Sequence, residues 1–358
     1  MHDTIEGVSP PGLPSEYNTP HMQSSSPIRT LSLAAAVALT AGVAVAQPDP
    51  SGIEFVTVGA PGNAPWMGGG RNNGRGAVDY EFRIGRFEVT TAQWAEFMNA
   101  AFDRPANDRI PFVAPPIVWG AQGTTPTTAG GLAWRVAAGR EMIPVGGVDW
   151  RTSAIFCNWL HNGKSSERAA FLDGAYDVST FGYLSDGGGI LDQLTRHEGA
   201  RFFIPSLDEW IKAAHYDPNR NGAGQGGYWL YSNSSDDPYV YAPPPSAGFN
   251  GTANANWNDF RFPGQNPYSI PLGAYADTRS PWGLLDVAGG TSEWTEGYFQ
   301  IPGEPVPRER YFEGTGWDFV TTGVPDTPGT AGGATFPSFG LPRVGRRLRR
   351  QYSSQCGL

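Results

Sequence analysis

Two cysteines among 358 residues, at positions 157 and 356, exclude a disulfide framework and any closely spaced thiol pair. Histidine is almost as scarce: of five, two lie in the first 21 residues, and His161, His197 and His215 lack the close spacing of a metal cluster. Charged residues make up only 16% of the chain, with a net charge of -9, which excludes a nucleic-acid partner because phosphates need a basic footprint. Apolar runs are short too. The longest, residues 31–46, falls below the roughly 20 residues a membrane helix needs, so no transmembrane segment is expected in the mature chain.

What the chain has instead is 48 Gly, 32 Pro and 12 Trp, with 13% aromatic content. So much aromatic surface argues against disorder and for a compact domain in which rings pack between irregular segments. The stretch 280–295 (SPWGLLDVAGGTSEWT) is the most telling. It sets Asp286 and Glu293 around the Gly289-Gly290 turn, between Trp282 and Trp294. Two oxygen-bearing side chains flanking a glycine turn suit a hard cation, because the turn also aims carbonyls inward; a hydrogen-bonded turn without metal uses the same residues.

The N-terminus reads as an export signal behind a polar leader. Arg29, the apolar run and the small-x-small step at residues 44–46 predict Met22 as the true start and cleavage near Gln47, the alternative being an uncleaved anchor. The expected organisation is therefore a leader and signal over 1–46, a single domain over 47–342 and a basic tail over 343–358. That tail holds five arginines between residues 343 and 350, either for anionic surfaces or as the product of an altered frame or chain end.

Strands are predicted over 54–59 and 82–89 and around residue 202, where apolar residues alternate or cluster. Helices are predicted over 92–101 behind Thr90-Thr91, over 152–162, and after Ser206, whose Glu209 three residues on completes a capping box. Cys157 falls within the second helix as a small buried hydrophobe. Residues 102–140 and 163–200 read as loop-rich excursions. The fold class is α+β with most residues irregular.

Four segments in order resemble one family. Residues 87–97 (FEVTTAQWAEF), 144–159 (PVGGVDWRTSAIFCNW), 203–214 (FIPSLDEWIKAA) and the 280–295 stretch are similar to landmarks of the sulfatase-modifying factor family, the formylglycine-generating-enzyme-like domain. The resemblance implies a loop-rich variant of the C-type lectin fold. It implies a structural calcium held by the side chains of Asp286 and Glu293 and the carbonyls of Gly289 and Thr291, with Gly290 standing where the family usually has Asn. A second calcium position would fall on Asn256. Copper, which the oxidising members hold between two thiolates, is not expected: the equivalent segment, residues 310–317, contains no cysteine. A binding or recognition protein for an unknown protein or carbohydrate follows, with Tyr228, Trp229, Tyr239, Tyr241 and Trp257 as candidate stacking groups. The alternative is a formylglycine-generating oxidase acting on a sulfatase cysteine, or another oxidoreductase of the family.

Overall fold

The computed structural model describes residues 49–126, 132–185, 188–317, 332–334, 343 and 345–347. The expected leader and signal, and Cys356, lie outside them. In chain order the elements are β1 (Phe55–Val58), β2 (Phe82–Gly85), α1 (Thr91–Phe102), β3 (Ala121–Pro126), β4 (Leu132–Val136), α2 (Trp150–His161), α3 (Ala169–Leu172), β5 (Phe202–Phe203), α4 (Leu207–His215), β6 (Tyr216–Asp217), β7 (Gly227–Tyr228), β8 (Glu293–Phe299), β9 (Glu309–Glu313), β10 (Gly332–Ala334) and β11 (Gly345–Arg347). The α+β reading therefore holds, with few helices, small sheets and long irregular connections.

Local chemistry sets the helices. Thr90 accepts from the Gln93 amide while the Gln93 side chain accepts from the Thr90 amide, so α1 starts on a complete capping box. Ser206 and Glu209 do the same for α4. Asp149 caps α2 through Thr152 N–H at 2.6 Å, which starts that helix two residues before the predicted Thr152. The first two helices face each other through rings: Trp94 to Phe156 at 4.9 Å and Phe97 to Phe156 at 5.3 Å between centroids. Such tilted and edge-on pairs add about 0.5–1.5 kcal/mol each beyond the area they bury. A second apolar cluster packs Val58, Phe82 and Ile84 of the sheet against Trp210 and Ile211 of α4.

Sheet order is β1-β2-β11-β5, antiparallel throughout, with Gly345 opposite both Ile84 and Phe203. The basic tail expected from residue 343 therefore does not begin there. Arg343 is fully buried and β11 is an interior strand. The physical reason is register: Gly345 leaves the space that the Phe203 ring occupies, for a Cβ there would stand 2.3 Å from it. A smaller sheet, β10-β9-β8, carries the strand that opens at Glu293. The excursion over 102–140 also holds more order than its composition suggests. It contains the β3–β4 hairpin, tied to α1 by Asn99, which accepts from the Trp134 amide at 2.6 Å and donates to its carbonyl at 3.0 Å.

Candidate functional site

The 280–295 stretch turns between the two sheets through a run of left-handed residues: Asp286 at φ +54°, Gly289 at +96° and Gly290 at +73°. At Gly289 the requirement is steric as well, since a Cβ would lie 2.6 Å from the Asn254 backbone. Asp286 Oδ2 accepts from the Gly273 amide at 2.6 Å. Burial nonetheless pushes its carboxyl up to about 6, with that hydrogen bond and the nearby Arg343 opposing. Beside it lies an enclosed space of about 10 Å³ lined by Ser232, Tyr239, Thr252, Tyr275 and Thr278, enough for one water-sized occupant.

Glu293 closes the turn and is fully engaged. Its Oε1 accepts from Arg343 Nε at 3.0 Å and Nη2 at 2.8 Å, and its Oε2 accepts from Trp210 Nε1 at 2.5 Å and Arg343 Nε at 3.2 Å. The other guanidinium N–H groups of Arg343 donate to the carbonyls of Gly85, Arg86 and Leu285. A buried guanidinium is tolerable only when its donors are satisfied in this way. Glu88 is the third carboxyl here. Its Oε1 accepts from the Thr291 amide at 3.1 Å, while Oε2, like Thr291 Oγ1, is buried without a partner. Burial and then Glu293 raise the Glu88 carboxyl well above its usual range. Tested against the expected calcium set, Asp286, Gly289 and Thr291 share one turn, whereas Glu293 has its oxygens occupied by Arg343 and Trp210.

Asn256, the expected second calcium position, belongs to a different feature. Its amide donates to the Trp317 carbonyl at 3.1 Å, and the Trp317 amide donates to the Gly290 carbonyl at 3.0 Å. Asn254 ties the same layer together, accepting from the Gly290 amide at 3.0 Å and donating to the Pro267 carbonyl at 3.0 Å. Through Trp317 the glycine turn is thus tied to a cleft of about 760 Å³ lined by residues 256–259, 261, 264–268 and Trp317. Tyr268 meets Trp317 edge-on at 5.1 Å. Sequence reasoning missed this cleft, because its walls are loops without periodicity; the signal that points to it is the density of Asn, Gln, Gly and aromatic residues between 249 and 268.

Of the aromatic groups expected to stack on a ligand, Trp257 lines the cleft, though it is only 3% exposed. Tyr228 and Tyr239, at 8% and 6%, pack in apolar clusters away from it; the Tyr228 hydroxyl, for instance, donates to the Gly76 carbonyl at 2.8 Å. Residues 310–317 run from β9 to the cleft. Arg310 sits 3.7 Å over the Trp150 ring and donates to the carbonyls of Gln193 and Leu194, a packing role. Cys157 is 0% exposed inside α2, and burial pushes its thiol up. His161 Nδ1 accepts from the Arg201 amide, and His215 is buried against the Trp229 carbonyl. Among the described residues no group of three or more His, Cys, Asp or Glu side chains is arranged to hold a metal, and no helix is long and apolar enough to cross a membrane.

Capped helices, short antiparallel sheets and a glycine turn supporting a loop-walled cleft define a loop-rich α+β domain. The sulfatase-modifying factor enzyme 1-like domain matches residues 57–350, and the chain belongs to this family. Solved structures similar to it include CarF, at 18% identity and a TM-score of 0.48 over 83% of this chain and 99% of that one. Variable protein 1 of Treponema denticola shows 16% identity and a TM-score of 0.47, over 82% of this chain and 95% of that one. PvdO from Pseudomonas aeruginosa shows 14% identity and a TM-score of 0.39, over 83% and 92%. No curated protein sequence matches the chain.

Proposed function

We propose that this chain is an exported recognition domain of the sulfatase-modifying factor type, which binds its ligand in the cleft tied to the glycine turn and lacks the copper-thiolate oxidase centre. The observation that carries this reading is the make-up of residues 310–317: the segment reaches the cleft at Trp317 and brings no thiol with it. The one cysteine among the described residues is sealed in α2. Paired thiolates are what a Cu(I) site requires. Loops held on a rigid support are a common place for recognition, and here the support is the hydrogen-bonded layer of Asn254, Gly290 and Trp317.

A structural Ca²⁺ is part of the proposal. Its carboxylate would be Asp286 and its carbonyl ligands Gly289 and Thr291, with Glu293 kept by Arg343. Supporting this are the buried carboxyl of Asp286 and the hydroxyl-lined space beside it, surroundings that favour a hard cation. Export rests on the signal-like residues 22–46.

The test is to load the full chain with copper and incubate it with a cysteine-containing sulfatase peptide. No aldehyde should form by mass spectrometry. Stoichiometric conversion of the peptide cysteine to formylglycine would overturn the reading.

A further inference from the structure

We infer that the cleft is a site for a neutral oligosaccharide. This rests on the recognition reading above and adds the chemistry of the ligand.

Charge comes first. The cleft carries one carboxylate, Asp259, and one guanidinium, Arg261, which balance each other, while the chain as a whole is at -9. A neutral ligand meets no net field inside the cleft, whereas an anion approaches against the charge of the chain.

The polar groups are also ordered in advance. Asn258 Oδ1 accepts from the Arg261 amide at 3.2 Å, Asp259 Oδ1 from the Gly264 amide at 2.8 Å, and Asn266 Oδ1 from the Tyr268 amide at 2.9 Å. Each bond uses a side-chain oxygen to hold the loop in shape. What remains for a ligand is the side-chain N–H₂ of Asn258 and Asn266, the side-chain amide of Gln265 and the second oxygen of Asp259. Planar amides and a carboxylate held in this way suit hydroxyl groups, which donate and accept at once.

A buried donor points the same way. Trp317 is 4% exposed and lines the cleft, and its indole Nε1 has no partner. An unsatisfied buried N–H is costly to the folded protein, and a ligand hydroxyl relieves it.

The apolar side of the site completes the match. Tyr268 stands edge-on to Trp317, and the Trp257 ring also lines the cleft. A sugar ring presents polar edges and apolar faces, and this mixture of amides and rings answers both. An extended peptide would instead seek a free strand edge, and residues 256–268 contain no strand. The size, about 760 Å³, falls in the range of small-molecule clefts.

The test uses the full chain on an array of neutral oligosaccharides of the gluco-, galacto-, manno- and N-acetylhexosamine series. Hits are titrated by tryptophan fluorescence, and the cysteine-containing sulfatase peptide is run in parallel. At least one saccharide should bind saturably. Asn258→Ala and Gln265→Ala, both in surface loops, should each weaken it by up to about tenfold, the range for one neutral hydrogen bond. Trp317→Phe should weaken it further, with the unfolding midpoint of Gln265→Ala unchanged. Saccharide binding that ignores all three substitutions places the site elsewhere and overturns the inference. If the peptide binds in a Trp317-dependent way and no saccharide does, the inference falls while the recognition reading stands. If nothing binds, both fall.

Discussion

Arg343 and Glu293 stand 50 residues apart in the chain and meet in the interior as a two-pronged ion pair at 2.8 and 3.0 Å, both side chains 0% exposed. The guanidinium also holds the carbonyls of Gly85, Arg86 and Leu285, so one residue joins β2, the glycine turn and β8.

Removing it should therefore be severe. Arg343→Ala strands a buried carboxylate and three carbonyls, and should cost about 3–5 kcal/mol. Urea unfolding followed by tryptophan fluorescence measures this. A chain stopped after residue 342 should fail to fold cooperatively, since it loses β11 as well; a stable, cooperative product would show that the last strand is dispensable.

Gly290 should resist replacement by asparagine. A Cβ there would stand 2.9 Å from Glu88 Oε2, and φ is +73°. Asn tolerates the left-handed backbone but not the contact, so Gly290→Asn should destabilise by about 1–3 kcal/mol through overpacking. Glu88→Ala in the same chain should recover part of that loss. A double-mutant cycle with no coupling would mean that the two residues are independent.

Asp286→Asn separates the metal question from the fold. Burial raises the folded carboxyl to about 6 from its ordinary 3.8, so its contribution is complete below pH 4 and is lost as pH rises through 6. The difference corresponds to roughly 3 kcal/mol at neutral pH. With chelator present, the Asn variant should melt higher than the parent at pH 7, and its backbone at φ +54° suits Asn well. With excess Ca²⁺ the parent should gain stability and the variant should not. A parent indifferent to chelator would remove calcium from the proposal.

His215 should make the protein acid-sensitive. Burial holds its imidazole down to about 3 from 6.5, so the contribution is fully present above pH 6.5 and is lost as pH falls toward 3. His215→Gln should lower neutral stability yet flatten the dependence between pH 6.5 and 4. Parallel stability curves for parent and variant across that range would refute the assignment.

Sequence legibility followed the range of the forces involved. The helix starts at Thr90 and Ser206 were readable because a cap is a bond between residues three apart. The 280–295 turn was readable because the left-handed backbone at Gly289 and Gly290 is a local demand for glycine. Arg343 was not: five arginines in a row of eight look like a solvated tail, and only a carboxylate 50 residues away makes one of them a core residue. The β3–β4 hairpin was hidden for a similar reason, since its Gly- and Thr-rich strand pairs with β4, which Asn99 of α1 holds at Trp134. The cleft rests on bonds between residues 254, 290 and 317, a pattern without period.

The position of β11 between β2 and β5 also bears on how the protein is made. A nascent chain shorter than residue 347 has both flanking strands but not the one that joins them, so its sheet cannot close before residues 345–347 have been made. A polypeptide that postpones closure in this way carries unpaired strand edges while it is translated, and those edges are open to wrong partners until β11 arrives.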